Sequence, residues 1–334
     1  MKISSIKEIF EAFRNKTVLV IGDVMIDSYV YGNVKRISPE APVPVLSVSK
    51  RERRLGGAAN VAMNVRALGA TPILCSVVGD DSDGAAFEEL LADEKMSSKG
   101  IIKSQNRVTT IKHRILSGSQ HLLRVDSEDT HSLVDLDRKS LTEHIKDLIK
   151  ECDLVIFEDY DKGTLDSFVI KETIKLANEL NVPTVVDPKK RNFLDYEHAT
   201  LFKPNLKELK EGLGVEFDVQ NRSELEEAVK ELNTKIKAKN ELVTLSEYGI
   251  FYQSDEESGQ HPAHLRSISD VSGAGDTVVS IAGLGLTLGL PLPFIAELSN
   301  LGGGIVCESP GVVPIDKDRL FKEAETNPIL GKYL

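Results

Sequence analysis

The 334-residue chain has only three cysteines, Cys75, Cys152 and Cys307, and they lie far apart in the sequence. Their number is odd and none forms a CxxC pair, which argues against a disulfide framework and against structural zinc. We therefore expect free thiols in a reducing compartment. The longest apolar stretch, residues 278–290, is interrupted by glycines and is too short to span a bilayer.

Basic residues are also scarce, since 41 Lys and Arg stand against 52 Asp and Glu and give a formal net charge of −11. Non-specific binding of DNA or RNA needs a basic surface, so nucleic acid is not expected as a main partner. The N-terminal residues form a charged amphipathic helix pattern instead of a secretory signal. These absences predict a cytoplasmic globular protein that does not enter a membrane.

Strand and helix patterns alternate along the chain. The strand patterns lie at 17–23, 71–81, 153–159, 183–188 and 241–249, with a further candidate at 199–205. The helix patterns lie at 56–70, 84–96, 138–150, 165–180, 206–212, 222–238, 276–289, 293–308 and 316–325. This alternation predicts an α/β fold, with a mainly parallel central sheet between two layers of helices.

Two charged segments interrupt this rhythm. Residues 42–55 alternate like an exposed strand, and residues 107–129 form two arms around Ser117-Gly118-Ser119, which indicates a β-hairpin. Neither segment has a solid apolar face, so we expect a small β lid built from about 30–55 and 107–126. A further small hairpin is expected at 251–267. We found no linker or internal repeat, which predicts a single domain over residues 1–334.

Polar residues follow the predicted strands at the edge where open α/β sheets bind ligands. They are Asp23, Asp27, Asp80, Glu158, Asp159, Asp187, Asn205, Ser246 and Glu247. No GxxxxGK[ST], HExxH or GxSxG motif occurs in the sequence, so a P-loop enzyme, a zinc protease and a serine hydrolase are not expected.

The turn Gly273-Ala274-Gly275 leads directly into Asp276 and an apolar helix. Backbone N–H groups at a helix N-terminus attract anions, and glycines let a ligand approach that backbone closely. A carboxylate beside such an anion hole suits phosphoryl transfer, in which Asp276 accepts the proton of the attacking hydroxyl. From this motif alone, a first-turn acid that only stabilises its helix is an equal alternative.

Three motifs in order make the chain resemble the pfkB, or ribokinase-like, family of carbohydrate kinases. They are the glycine pair and following helix at 56–62, the NxxE motif at 205–208, and DVSGAGDT at 270–277. The resemblance extends over about residues 18–312. It implies a ribokinase-like αβα sandwich with a β lid, and ATP and Mg²⁺ as cofactors.

Within that family the segments 22–48, 56–70 and 111–114 closely resemble the D-glycero-D-manno-heptose 7-phosphate kinases, above all through ISPEAPVPV in the first segment. This resemblance implies phosphorylation of the anomeric O1 hydroxyl to give the 1,7-bisphosphate, a precursor of ADP-heptose and the lipopolysaccharide core. Those kinases often carry a nucleotidyltransferase domain with an HxGH motif, which this sequence lacks. We therefore expect the kinase half alone.

The resemblance also implies roles for particular residues. Asp27, Gly56, Gly57 and Asn60 would contact the sugar, while Asp276 and the backbone of Gly273, Ala274 and Gly275 would perform the transfer. The nucleotide would lie against Lys189, Asn205, Ser246, Gly249, Asn300 and Gly303. Asn205 and Glu208, one helical turn apart, would hold Mg²⁺ through water.

Other assignments leave alternatives open. Lys112 and Arg124 are our preferred cations for the phosphate of the sugar, with Arg107 and Arg114 also available, and all could instead be solvated charges of the lid. The glycines at 302–304 could line the nucleotide or serve only helix packing. Because an exposed β flap needs a partner for its edges, we expect a homodimer through 40–55 and 107–126. A kinase for another sugar or nucleoside, and a non-catalytic sugar-binding regulator, are the alternative functions.

Overall fold

A computed structural model describes residues 4–118 and 120–334. The strands are β1 (Thr17–Gly22), β2 (Val24–Ile37), β3 (Pro44–Gly57), β4 (Thr71–Gly79), β5 (Gly100–Ser104), β6 (Ile111–Ser117), β7 (Gln120–Ser127), β8 (Leu154–Glu158), β9 (Thr184–Asp187), β10 (Leu201–Phe202), β11 (Asn240–Thr244), β12 (Ile250–Ser254) and β13 (Ser258–His261). The α-helices are α1 (Ile6–Ala12), α2 (Ala58–Ala67), α3 (Ser82–Asp93), α4 (Asp135–Leu148), α5 (Ser167–Glu179), α6 (Leu206–Leu213), α7 (Arg222–Ile236), α8 (Ala274–Thr287), α9 (Leu292–Val306) and α10 (Lys317–Glu325).

The large sheet has the strand order β13-β12-β11-β10-β9-β8-β1-β4-β5. Its strands pair in parallel from β5 to β11. Strand β12 pairs antiparallel with β11, and the edge strand β13 pairs antiparallel with β12. Both faces of the sheet are covered, which explains why its central strands are continuous apolar runs. In β1, Val18 and Val20 pack into the core on one face, and Leu19 and Ile21 pack into the core on the other.

Helices α2, α8, α9 and α10 contribute to the first of these cores, and α4, α5 and α7 to the second. The predicted αβα sandwich is therefore confirmed. The helix bounds agree with the sequence patterns to within a few residues, including α1 near the N-terminus. No helix in the described ranges combines the length and the apolarity that a membrane crossing requires. The three cysteines are free and buried, as expected.

A second sheet has the order β3-β2-β6-β7 and contains the segments predicted to form the lid. Strand β2 lies at its centre, antiparallel to β3 and parallel to β6. Strand β2 was not predicted from its start at Val24, because Asp27 and Ser28 interrupt its apolar pattern. Strand β5 was not predicted either. Ser119 in the predicted hairpin turn lies outside the described residues.

Candidate active site

A cavity of about 1100 Å³ lies beyond the carboxyl ends of β8, β9 and β11, against the N-terminus of α8. This is where open parallel sheets bind ligands, because a crevice forms outside the carboxyl ends of the strands. Of the polar residues that follow predicted strands, the cavity is lined by Glu158, Asp187, Asn205, Ser246 and Glu247. Asp23 instead fixes the loop that follows β8. Its carboxylate accepts hydrogen bonds from the backbone N–H groups of Tyr160, Lys162 and Thr164 at 2.9, 3.0 and 2.9 Å.

Helix α8 begins at this cavity. Its N-cap is Gly273, with φ of 80°, a conformation that favours glycine. At Gly275 an added methyl group would lie 3.3 Å from Oδ2 of Asp187 and 3.7 Å from Nζ of Lys203. The backbone of the turn is thus open toward charged groups of the cavity. The N–H of Ala274 donates to the carbonyl of Val271 at 3.3 Å. The N-terminus of a helix with a lysine nearby can hold a phosphoryl group.

Asp276 lies in the first turn of α8, with 5% of its surface exposed. The side-chain amide of Asn60 donates to its Oδ2 at 2.5 Å, and the Tyr160 hydroxyl donates to its Oδ1 at 3.2 Å. Burial raises the pKa of Asp276 to about 6; the Asn60 hydrogen bond opposes this shift and the charge of Asp187 adds to it. A carboxylate that is held on both oxygens and titrates near neutrality is suited to accept a proton.

Asp187 and Glu158 are register partners on the adjacent parallel strands β9 and β8. An oxygen from each of them lies within 4.8 Å of the others and of an oxygen of Asp276. Lys203, which is 2% exposed, places its Nζ 2.9 Å from Oδ2 of Asp187. Burial lowers the pKa of Lys203, but the charges of Asp187 and Glu208 outweigh burial and raise it overall.

The predicted metal ligands form a capping box at the start of α6. Oδ1 of Asn205 accepts from the backbone N–H of Glu208 at 2.9 Å, and Oε2 of Glu208 accepts from that of Asn205 at 2.8 Å. Lys189 donates to the other oxygen of Glu208. Burial lowers the pKa of Lys189, but the carboxylates of Asp187 and Glu208 raise it above its usual range. Lys189 is thus a charged group at the floor of the cavity.

The remaining residues predicted to bind the nucleotide, Ser246, Gly249, Asn300 and Gly303, all line the same cavity. Asn300 donates to the carbonyl of Pro262 at 2.8 Å, which ties α9 to the loop after β13. The glycines of α9 also serve packing, because a methyl group on Gly303 would lie 2.9 Å from a methyl carbon of Val278. Both alternatives for Gly303 are therefore compatible with its position.

The residues predicted to contact the sugar lie where β2 and β3 meet α2. An added methyl group on Gly56 would lie 2.6 Å from Oδ2 of Asp27, and Gly57 has φ of 61° just before α2. Arg114 of β6 donates to Oδ1 of Asp27. Asn60 connects this region with the cavity through its hydrogen bond to Asp276. The structure thus brings Asp27, the glycine pair and the carboxylate of α8 around one region.

The candidate cations for a sugar phosphate are distributed differently. Lys112, Arg114 and Arg124 lie on the same face of the second sheet as Asp27, by the alternation of side chains along paired strands. Nζ of Lys112 lies 2.9 Å from carboxylate oxygens of both Asp126 and Glu128. Arg107 is elsewhere, with its guanidinium donating to the carbonyl of Lys162. Which of these cations binds a phosphate stays a prediction.

The sequence placed Glu158 and Asp187 at the ligand-binding edge of the sheet but indicated no specific role for them, and it indicated none for Tyr160 or Lys203. Glu158 and Asp187 carried a signal, since both are acids at the ends of buried strands. Lys203 is a cation at the end of an apolar run, and such a residue is buried only with a partner. Tyr160 gave no local signal. Its relation to Asp276 arises from tertiary structure over 116 positions of sequence separation.

Solved structures of sugar kinases share the fold of this chain. Phosphofructokinase-2 from Escherichia coli, crystallised with potassium, superposes with a TM-score of 0.76 at 19% identity and covers 92% of this chain and 97% of its own. Arabidopsis thaliana ribokinase, in complex with ribose and ATP, gives a TM-score of 0.71 at 17% identity over 92% of this chain and 99% of its own. The fold is ribokinase-like.

Residues 15–318 match the sequence profile of the pfkB family of carbohydrate kinases. This chain therefore belongs to that family and is an ATP-dependent carbohydrate kinase. It is 36% identical over 318 residues to the bifunctional protein HldE of Desulfatibacillum aliphaticivorans, and 40% identical over 310 residues to that of a Caulobacter species. These matches cover 95% and 92% of this chain but 65% and 63% of the relatives. The chain thus spans less than two thirds of the length of the curated relatives that it matches.

Proposed function

We propose that this kinase transfers the γ-phosphoryl group of ATP to the anomeric O1 hydroxyl of D-glycero-D-manno-heptose 7-phosphate. The proposed transfer is supported by one observation above all: Asp276 is a buried carboxylate in the first turn of α8, and Asn60 and Tyr160 donate hydrogen bonds to it. The choice of a heptose is supported by the sequence of residues 22–48 and by relatives named HldE at 36–40% identity. The product is the 1,7-bisphosphate, which would serve the synthesis of ADP-heptose and the lipopolysaccharide core.

In the proposed mechanism Asp276 orients the O1 hydroxyl and takes its proton as the phosphoryl group arrives. Its burial keeps water from solvating the carboxylate, which holds the pKa of Asp276 near 6 and matches it to a base at neutral pH. The N–H groups of Gly273 to Asp276 face the transferred group and stabilise its charge. Lys203 and Lys189, which line the same cavity, would add positive charge beside this group.

ATP would lie across the cavity against Ser246, Gly249, Asn300 and Gly303. Asn205 and Glu208 supply amide and carboxylate oxygens, the donor type that Mg²⁺ prefers, and we assign them to Mg²⁺ through water. Their use in a capping box fits water-mediated binding, because each carboxylate oxygen keeps a further lone pair. When bound, Mg²⁺ neutralises the charge of the nucleotide phosphates.

Asp27 would accept hydrogen bonds from vicinal hydroxyls of the sugar, with Gly56, Gly57 and Asn60 beside it. Lys112 and Arg124 would meet its 7-phosphate. The second sheet would close as a lid over the sugar and exclude water, which otherwise competes as the phosphoryl acceptor. Because ATP and sugar phosphates are substrates of cytoplasmic metabolism, this reaction would place the enzyme in the cytoplasm.

We also propose that the lid forms a homodimer. Strand β7 is an edge of the second sheet, and Leu123 and Val125 expose 58% and 46% of their surface there. An exposed edge with apolar side chains is a liability unless another strand or surface covers it. A second copy of the same segment is the simplest cover for it.

The test is an ADP-release assay with ATP, Mg²⁺ and a panel of acceptors: heptose 7-phosphate, sedoheptulose 7-phosphate, fructose 6-phosphate, ribose and fructose. We expect heptose 7-phosphate to give the highest kcat/KM. Lys112→Gln and Arg124→Gln should raise KM for this substrate about tenfold each, the order expected when one charge-assisted contact is lost. Lys50→Gln, a change of another cation of the same sheet, is the control. Preference for a different sugar would retain the kinase and reject the heptose assignment.

A further inference from the structure

The loop at residues 160–164 follows β8 and supplies one of the contacts of the candidate base. Tyr160, at the start of the loop, donates a hydrogen bond to Oδ1 of Asp276 at 3.2 Å. Gly163 has φ of 91°, and an added methyl group there would lie 1.9 Å from the carbonyl oxygen of His131. Only glycine fits at this point, so the loop passes directly against the segment that follows β7.

Asp23 is the first group that fixes the path of this loop. Asp23 is buried, and its carboxylate accepts the backbone N–H groups of Tyr160, Lys162 and Thr164. Hydrogen bonds to an ionised acceptor are stronger than those between neutral groups. One side chain therefore holds alternate residues of the loop and, with them, the backbone that carries the Tyr160 ring.

Asp23 also lies where the chain passes from one sheet to the other. It is the single residue between β1 of the large sheet and β2 of the second sheet. Its carbonyl oxygen accepts from the backbone N–H of Ala58 at 2.9 Å, where β3 leaves the second sheet and α2 begins. Rotation of the second sheet would turn the backbone at these two junctions, because hinges form at the ends of elements. Such a rotation would displace the carboxylate that holds the loop.

A second connection joins the same loop to β6 and β7. Nζ of Lys162 lies 2.7 Å from Oε1 of Glu128, which directly follows β7. The other oxygen of Glu128 lies 2.9 Å from Nζ of Lys112 on β6. Arg107, which precedes β6, donates to the carbonyl of Lys162. The loop is thus held both at the β1–β2 junction and by groups of the second sheet.

We propose that the loop 160–164 couples the position of the second sheet to the Asp276 carboxylate, with Asp23 and Lys162 as its positioning residues. Both contacts direct the Tyr160 hydroxyl to Asp276 when the second sheet lies as in this structure. Loss of either contact frees the loop and weakens that hydrogen bond. A base that is fully supported only when the sheet covers the sugar would limit transfer to water.

This inference rests on the proposed role of Asp276 as the base, and it does not depend on which sugar is the acceptor. The Tyr160 hydroxyl lowers the pKa of Asp276 through its hydrogen bond, so a weaker bond should raise that pKa. The acid limb of the rate should then move to higher pH.

Other groups also face the Asp276 carboxylate or Tyr160, and the test must leave them in place. They are Asn60 of α2, Glu158 at the end of β8, Asp187 at the end of β9, Lys203 after β10, and Lys189, whose Nζ lies 5.5 Å from the centre of the Tyr160 ring. Lys162 is directed to Glu128 instead, so its replacement should act on Asp276 through the loop.

Lys162→Met keeps most of the side-chain length and removes the charge. With the sugar that the acceptor panel identifies, it should move the acid limb of kcat/KM to higher pH by about 0.3–0.5 unit. In the Tyr160→Phe background the hydroxyl is gone, so Lys162→Met should cause no further shift. Lys162→Arg can keep the pair with Glu128 and should keep the wild-type limb. Glu88→Gln, which breaks a Lys–Glu pair between α3 and β5, is the matched control and should not move the limb.

Hydrogen exchange followed by mass spectrometry tests the loop itself, without any reaction. The amides of Tyr160, Lys162 and Thr164 are bound to Asp23 and should exchange slowly in the wild type. In a peptide that covers 159–165, Lys162→Met should speed exchange at least about threefold. Asp23→Asn places an NH₂ group where one accepting oxygen stood and should speed it at least about tenfold. Lys162→Met decides alone if Asp23→Asn does not fold.

Equal shifts of the limb by Lys162→Met with and without the Tyr160 hydroxyl would overturn the proposal, because the lysine charge would then act directly on the substrate. An unmoved limb, or loop exchange equal to that of the wild type, would overturn it as well. The base is tested separately by Asp276→Asn. Near-wild-type kcat in that variant would reject the base, whereas additive effects in an enzyme that needs Asp276 would reject only the coupling.

Discussion

Replacing Asp276 by asparagine tests the proposed base most directly. The change keeps the shape of the side chain and removes its charge. The new amide can keep its oxygen toward Asn60 and turn its NH₂ group to the Tyr160 hydroxyl, which accepts as well as donates. The fold should therefore tolerate it. Because general-base catalysis contributes about 10²–10⁴-fold, we expect kcat to fall by that factor.

The pH dependence gives a second, independent signature. The pKa of Asp276 is raised to about 6, so the carboxylate is mostly ionised at pH 7 and mostly protonated at pH 5. The rate that depends on this base should fall about tenfold between pH 7 and pH 5. A sugar phosphate titrates in the same range, since its second pKa is about 6. A change in the enzyme alone is needed to separate the two titrations.

Tyr160→Phe provides that separation. The Tyr160 hydroxyl lowers the pKa of Asp276 through its hydrogen bond, so its removal should raise that pKa. The acid limb of kcat/KM should then move to higher pH, while the titration of the substrate stays where it was. A limb that does not move would mean that the substrate, and not Asp276, sets the wild-type profile.

Stability must be measured beside activity. The folded protein binds the proton of Asp276 more tightly than the unfolded chain does, because its pKa is raised from 3.8 to about 6. Ionisation of Asp276 therefore costs stability as pH rises through this window. At pH 8 Asp276→Asn should be as stable as the wild type, or more stable by up to about 3 kcal/mol. A variant with wild-type stability and kcat within threefold of the wild type would refute the assignment of Asp276 as the base.

Three further predictions concern the surroundings of this site. Gly275→Ala should fold normally, because alanine favours helices, but its methyl group would face Asp187 and Lys203, and kcat should fall at least about tenfold in the ADP-release assay. Lys203→Met would leave Asp187 buried without its partner, and urea unfolding should show a loss of about 3–5 kcal/mol. Leu123→Glu should convert the proposed dimer to a monomer in light scattering, and a wild type that is already monomeric at micromolar concentration would reject the dimer.

The layers of the fold could be predicted because the relevant signals are local. A parallel strand covered on both faces must be apolar throughout, and a helix between such strands must carry one apolar stripe. Strand β1 and helix α5 meet these conditions in the sequence alone. Strand β2 does not, because one of its faces bears Asp27, Tyr29 and Tyr31. It pairs with β6, and each residue of β2 in this pairing has its partner 85 positions further along the chain, as Asp27 has Lys112. Its strand character depends on that distant partner.

The features of the candidate site were also predictable from the sequence only where they form locally. The turn before Asp276, the glycine pair and the capping box each form within a few residues, so each leaves a pattern in the sequence. Glu158, Tyr160 and Lys203 obtain their chemistry from contacts across strands and layers. The pKa of Asp276, for example, depends on Asn60 and Tyr160, which lie 216 and 116 positions away. Motifs therefore indicated which group to propose as the base, whereas the pKa of that carboxylate and the charges around it are properties of the folded chain.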